Sequence, residues 1–147
     1  PGQLEIEVTE RILMQEGETT DGALAKLKAL GTRIAIDDFG TGYSSLSYLR
    51  TFSFDKVKID RSFISDLALG TERTVIVQAV MSITKALGMQ TTAEGVETDY
   101  QRDLLKALGC DQAQGYFISR PMPASAIGDF LTNWQADQAE AARRRVS

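Results

Sequence analysis

A chain of 147 residues is long enough for one domain with a sizeable core, and 43 % apolar with 24 % charged residues is ordinary globular composition. The formal net charge of −4 argues against a polynucleotide-binding surface built on bulk positive charge. Histidine is absent and Cys110 is the single cysteine, which excludes intramolecular disulfides, His-based triads and Cys- or His-based zinc sites, so any metal would be held by oxygen.

In chain order, Leu4–Glu10 alternates Leu4, Ile6 and Val8 with Glu5, Glu7 and Thr9, the pattern of a strand with one carboxylate-rich face. A charged segment, Gln15–Thr20, leads to Asp21 as an N-cap and a helix running to Leu30 with Leu24, Leu27 and Leu30 on one stripe. Arg33–Asp38 reads as a buried strand ending in two adjacent carboxylates, followed by a loop with Gly40 and Gly42. Ser44–Arg50 is expected to be a short helix burying Leu46 and Leu49. Lys56–Asp60 is a short strand with Val57 and Ile59 on one face and Lys56 and Lys58 on the other. Ser62–Leu69 is expected to be a short helix broken by Gly70. The longest helix follows over Glu72–Leu87, with Val75, Val77, Val80, Ile83 and Leu87 apolar. Strand Met89–Val96, amphipathic helix Asp99–Leu108, strand Asp111–Ser119 and a final helix from about Ala126 to Arg143 complete the order. No apolar run approaches the ~18 residues of a membrane span. The opening Pro1-Gly2-Gln3 runs into a strand pattern rather than a leader, so the expectation is a cytoplasmic protein with no membrane segment in this chain, tethering of a longer parent being left open.

Ala-Leu-Gly occurs at 29–31, 86–88 and 107–109, each time closing a predicted helix before a strand whose far end carries Asp37, Glu94 or Gln114. A βα unit used repeatedly implies parallel pairing, and such sheets gather their chemistry at the carboxyl ends of the strands. Aligning those ends brings together Glu7, Asp37, Asp38, Lys58, Glu94 and Gln114. Two like charges about 4 Å apart repel by about 4 kcal/mol at an effective dielectric of about 20, so the aspartate pair needs a cation, a basic neighbour or a shared proton. One outcome is a solvated Asp38 beside an Asp37 that caps a turn. The other is an all-oxygen site for Mg²⁺ or Mn²⁺, in which tandem aspartates serve two ions that clamp a phosphodiester. Lys58 would orient the attacking water or neutralise phosphate, unless it only snorkels; Gln114 suits a structural hydrogen bond equally well.

Glu7-Val8-Thr9-Glu10, the Asp37–Ser45 run DDFGTGYSS, Phe54–Asp60, Ala93–Thr98, Gln114-Gly115-Tyr116 and Ser119-Arg120-Pro121 together resemble the C-terminal part of the EAL domain, the bacterial cyclic-di-GMP-specific phosphodiesterase. Ser53 stands where the family often has proline. The resemblance implies a TIM-like (β/α) barrel that linearises cyclic-di-GMP to pGpG with two Mg²⁺ or Mn²⁺ ions. It implies Glu7, Asp37 and Asp38 as metal ligands, Glu94 at the metal centre and as a base, Lys58 and Gln114 holding the nucleophilic water, and Glu10 steadying the Asp37–Ser45 loop, which the family uses to couple dimerisation to metal binding. It further implies a homodimer of the complete domain.

The Glu-Ala-Leu segment that names the family, and a later-strand asparagine, are not in this sequence. A barrel needs eight strands and about 250 residues; about five βα units are present. The expectation is therefore a portion of the barrel in residues 1–136, with 137–147 a basic helical or disordered tail, unable to complete the first metal site alone. Open strand edges would favour dimers, swapping or aggregation. Two other classes stay in view. A non-catalytic cyclic-di-GMP receptor would require altered ligands in the missing part. Enolase-type proton abstraction also uses carboxylates and a lysine at barrel strand ends, but tandem aspartates suit it poorly.

Overall fold

The computed structural model describes residues 1–14, 18–41, 49, 52–65, 67 and 71–144. The elements are β1 (Glu5–Thr9), α1 (Glu10–Met14), α2 (Glu18–Ala29), β2 (Arg33–Phe39), β3 (Lys56–Ile59), α3 (Arg61–Ser65), α4 (Thr71–Ala86), β4 (Gln90–Glu94), α5 (Asp99–Leu108), β5 (Gln112–Gln114) and α6 (Ala124–Arg144). The strands form one sheet, every neighbouring pair parallel, in the order β1-β2-β3-β4-β5. A doubly wound sheet reverses its strand order at a switch point; strictly sequential order is that of a (β/α) barrel. The chain thus forms five strands of such a barrel.

Period-two alternation divides the sheet into unlike faces. Val8, Ile34, Ile36 and Val57 pack with Leu13, Leu24 and Phe54 in one apolar cluster. Ile59 and Ala93 join Ile64, Val77, Met81 and Leu105 in a second. The opposite face carries Glu5, Glu7, Asp37, Lys56, Lys58 and Glu94, joined by ion pairs. All of β3 is buried, lysines included, because it lies at the centre of the five strands.

Helix ends follow local chemistry. The Ala-Leu-Gly glycines Gly31, Gly88 and Gly109 have φ of 83°, 71° and 87°, the left-handed conformation that closes a helix. At the start of α5, the Thr98 side chain accepts from the Gln101 amide while Gln101 accepts from Thr98, a complete capping box. At the amino-terminal rim, Asp55 accepts from the Ile34 N–H and Asp111 from the Thr91 N–H, both at 2.7 Å, so the same device fixes two strand pairs.

The structure corrects several sequence expectations. Strand β1 ends at Thr9, and Glu10 opens a helix instead of closing the strand. Helix α2 begins at Glu18, so Asp21 lies inside it, and Leu30 is 65 % exposed beyond its end. Val75 is 62 % exposed, leaving Val77 as the buried anchor of that turn. The strand expected over Asp111–Ser119 lasts only through Gln112–Gln114, because Ile118 N–H and Ser119 N–H turn back to the Gly115 carbonyl. The helix expected over Ser44–Arg50 lies outside the described residues except Leu49, which is buried. Among the described residues no helix is long and apolar enough to cross a membrane.

Candidate metal centre

The site begins with a register slip. Ile36 pairs with Val57 and Phe39 with Ile59, so Asp37 and Asp38 of β2 oppose Lys58 alone on β3. Such a bulge kinks the strand and re-aims side chains. Asp38 accommodates it at φ 54°, a left-handed conformation that Asp tolerates better than most residues. Adjacent strand residues ordinarily face opposite ways, and a strand ending at Asp38 was the expected way around this. Here β2 continues to Phe39, and the bulge lets both carboxylates serve one place. An oxygen from each of Asp37, Asp38 and Glu94 lies within 4.8 Å of the others.

Lys58 supplies the cation. Its Nζ lies 2.8 Å from Glu7 Oε2, 2.8 Å from Asp37 Oδ1 and 2.8 Å from Glu94 Oε1, with 8 % of the side chain exposed. Three acceptors match the three donors of an ammonium. Burial disfavours its charge, but the hydrogen bonds it donates to Asp37, Glu7 and Glu94 outweigh that and hold its pKa above the ordinary lysine value. The Asp38 carboxyl is pushed up by burial and then by the charges of Asp37 and Asp60, against the pull of Lys58. Asp60 is held low in spite of burial, because the Ser62 hydroxyl and the backbone N–H groups of Ser62 and Arg61 donate to it. Glu7 and Glu94, on strands three apart in the sheet order, thus share the Lys58 nitrogen.

A cavity of about 330 Å³ opens beside the cluster, lined by Asp38, Asp60, Arg61, Glu94, Glu97 and Gln114 among others. The structure therefore brings Glu7, Asp37, Asp38, Lys58 and Glu94 together, and places exposed Gln114 at the cavity wall, its Cα partnered with that of Glu94. Glu10 is buried and accepts from the Gly40 N–H at 3.3 Å, tying α1 to the start of the loop after β2. Sequence reasoning passed over Asp60, Arg61 and Glu97. Asp60 follows directly on Ile59, so the strand-end rule itself would have found it.

The donor set fits hard divalent cations: several carboxylates, no nitrogen or sulfur ligand, and more negative charge than one lysine balances. A sequential parallel sheet with acids at its carboxyl edge defines a barrel segment whose chemistry lies on that rim. The chain belongs to the EAL domain family, whose profile matches residues 1–121. It is similar to the cyclic di-GMP phosphodiesterase NbdA of Pseudomonas aeruginosa, 44 % identical over 136 residues that make up 92 % of this chain and 17 % of NbdA. The solved PaMucR phosphodiesterase in complex with c-di-GMP superposes with a TM-score of 0.82 and 43 % identity, over 86 % of this chain and 51 % of that one. A manganese and cy-diGMP complex of Klebsiella pneumoniae BlrP1 gives 0.78 and 38 %, over 82 % and 31 %. The chain spans between 15 % and 20 % of the length of the curated relatives it matches.

Proposed function

We propose that this chain carries the carboxyl-terminal portion of an EAL-type phosphodiesterase domain that hydrolyses cyclic-di-GMP to linear pGpG with Mg²⁺ or Mn²⁺, the activity belonging to the complete domain. The observation that carries the reading is the convergence of Asp37, Asp38 and Glu94 within 4.8 Å at the rim of the sheet. Family membership, and the naming of related proteins as cyclic di-GMP phosphodiesterases, support the substrate.

Glu7, Asp37, Asp38 and Glu94 would hold the metal. Bound divalent cations supply Lewis acidity at the phosphodiester and make a water nucleophilic near neutral pH. Lys58 and Gln114 would orient the attacking water, and Glu94 would take up its proton. Glu10 steadies the loop after β2 through the Gly40 N–H. Residues 1–136 form the barrel portion and 137–147 a basic tail, whose first part continues α6 as far as Arg144. The complete domain is a cytoplasmic homodimer in this reading.

The test is hydrolysis by the purified complete domain, with pGpG separated chromatographically from cyclic-di-GMP. Turnover with Mg²⁺ or Mn²⁺, abolished by chelation and by Asp37→Ala, is expected. Hydrolysis retained in that variant overturns the site assignment.

A further inference from the structure

Two lysines face the polar side of the sheet, and they are held differently. Lys56 bonds Glu5 Oε1 at 2.7 Å, an ion pair near the amino-terminal edge, away from the acids of the rim. Lys58 instead sits among Glu7, Asp37 and Glu94, on three different strands, at 2.8 Å from each. Asp37 and Glu94 are also two of the three residues whose oxygens converge within 4.8 Å. A divalent cation takes carboxylate lone pairs at about 2.0–2.2 Å. An ammonium hydrogen-bonded to the same carboxylates would compete with that cation for their lone pairs and repel it at short range. The two cannot both be held at full strength.

We propose that Lys58 is an internal counter-ion: it clasps the acids when no divalent cation is bound and must leave them when one binds, so that loading the site and releasing the amine are a single event. This rests on reading the acids as metal ligands. Lysine suits the part, because its charge is a compact point on a flexible stem, able to swing clear without losing its backbone position in β3. The released ammonium stays on the same face of the sheet, beside Glu94, which lines the cavity. A water-orienting role for Lys58 is then available only once the metal is in place.

The test compares Mn²⁺ binding by calorimetry to the complete domain and to its Lys58→Met and Lys58→Arg variants. Removing the competing cation is expected to tighten Mn²⁺ binding in Lys58→Met by at least about tenfold, while Lys58→Arg shows no tightening. Equal or weaker binding by Lys58→Met, with the unsubstituted domain binding normally, overturns the counter-ion proposal and leaves the metal site standing. Absence of binding in every form overturns both. A second measurement needs no variant: the Lys58 ammonium, protected by three acceptors, should give a slowly exchanging ¹⁵N signal without metal. That signal should vanish or shift on saturation with Mg²⁺; an unchanged signal overturns the proposal even if Lys58→Met fails to fold.

Discussion

Gly115 lies against Val96 so closely that a Cβ added to it would stand 2.2 Å from the Val96 carbonyl oxygen and 2.3 Å from its amide nitrogen. Val96 N–H donates to the Gln114 carbonyl at 3.0 Å, and Phe117 N–H to the Val96 carbonyl at 2.9 Å, so both backbones are fixed by the same contact. Neither can withdraw without breaking these bonds. Gly115→Ala is expected to destabilise the protein by about 3 kcal/mol, measured by urea denaturation, and to shift Gln114 away from Glu94. In the complete domain the same variant should lose turnover even where it is folded.

Gln101 is a buried hub between the end of β4 and helix α3. Its side-chain oxygen accepts from the Glu97 and Thr98 N–H groups at 2.8 and 3.1 Å, and its amide nitrogen donates to the Ile64 carbonyl at 3.1 Å. Gln101→Ala should cost about 2–3 kcal/mol in chemical denaturation by orphaning those groups. Gln101→Glu keeps the acceptor but turns a buried carboxylate oxygen toward the Ile64 carbonyl, so a loss at least as large is expected at pH 7.

Lys56 and Glu5 supply a test of pairing within the barrel interior. Their side chains are 10 % and 20 % exposed, so Lys56→Met alone leaves an under-compensated carboxylate and should destabilise by about 2–3 kcal/mol. The double variant Glu5→Gln, Lys56→Met should recover most of that loss, since both charges are removed together. A double-mutant cycle from urea midpoints measures the coupling.

Asp55 predicts one limb of the stability–pH profile. Burial alone would raise its pKa, but hydrogen bonds from the Lys28 ammonium and the Ile34 N–H outweigh burial and hold it below the usual carboxylate range. A folded-state pKa below the unfolded value of about 3.9 stabilises the protein at pH above that value. The contribution disappears as pH falls through the lower folded value. Asp55→Asn should therefore lower stability at pH 7 and flatten the decline below about pH 4, as read from denaturation midpoints across pH.

Glu10→Ala should loosen the start of the loop after β2, because it removes the acceptor of the Gly40 N–H. In the complete domain this variant should bind Mn²⁺ more weakly, while thermal unfolding without metal changes less than the binding does. Calorimetry beside a melting curve separates the two effects.

Much of this architecture could be read from local pattern. Helix α5 occupies Asp99–Leu108 as expected, since Thr98 and Gly109 cap it within the same short stretch. The repeated helix-stop glycines were legible for the same reason, and so was the gathering of acids at strand ends, which follows from parallel order. What local pattern lacked was anything set by a distant neighbour. Asp38 takes its positive φ from a register slip against Lys58, and nothing in an Asp-Asp pair announces a bulge. The brevity of β5 comes from the turn of Ile118 and Ser119 back onto the Gly115 carbonyl, which the polar and small residues of β5 itself do not announce. Lys58 looked able to snorkel outward because alternation assigns a face but not its curvature; once the sheet curls, three strands deliver acids to one amine.

That curl has a mechanical side. The strands from β1 to β4 behave as an arch, and the Lys58 clasp is the tie between its springing points, Glu7 and Glu94. An arch and its tie share one tension. Cutting the tie at either carboxylate therefore frees one end of a four-strand span from the amine that the two ends share.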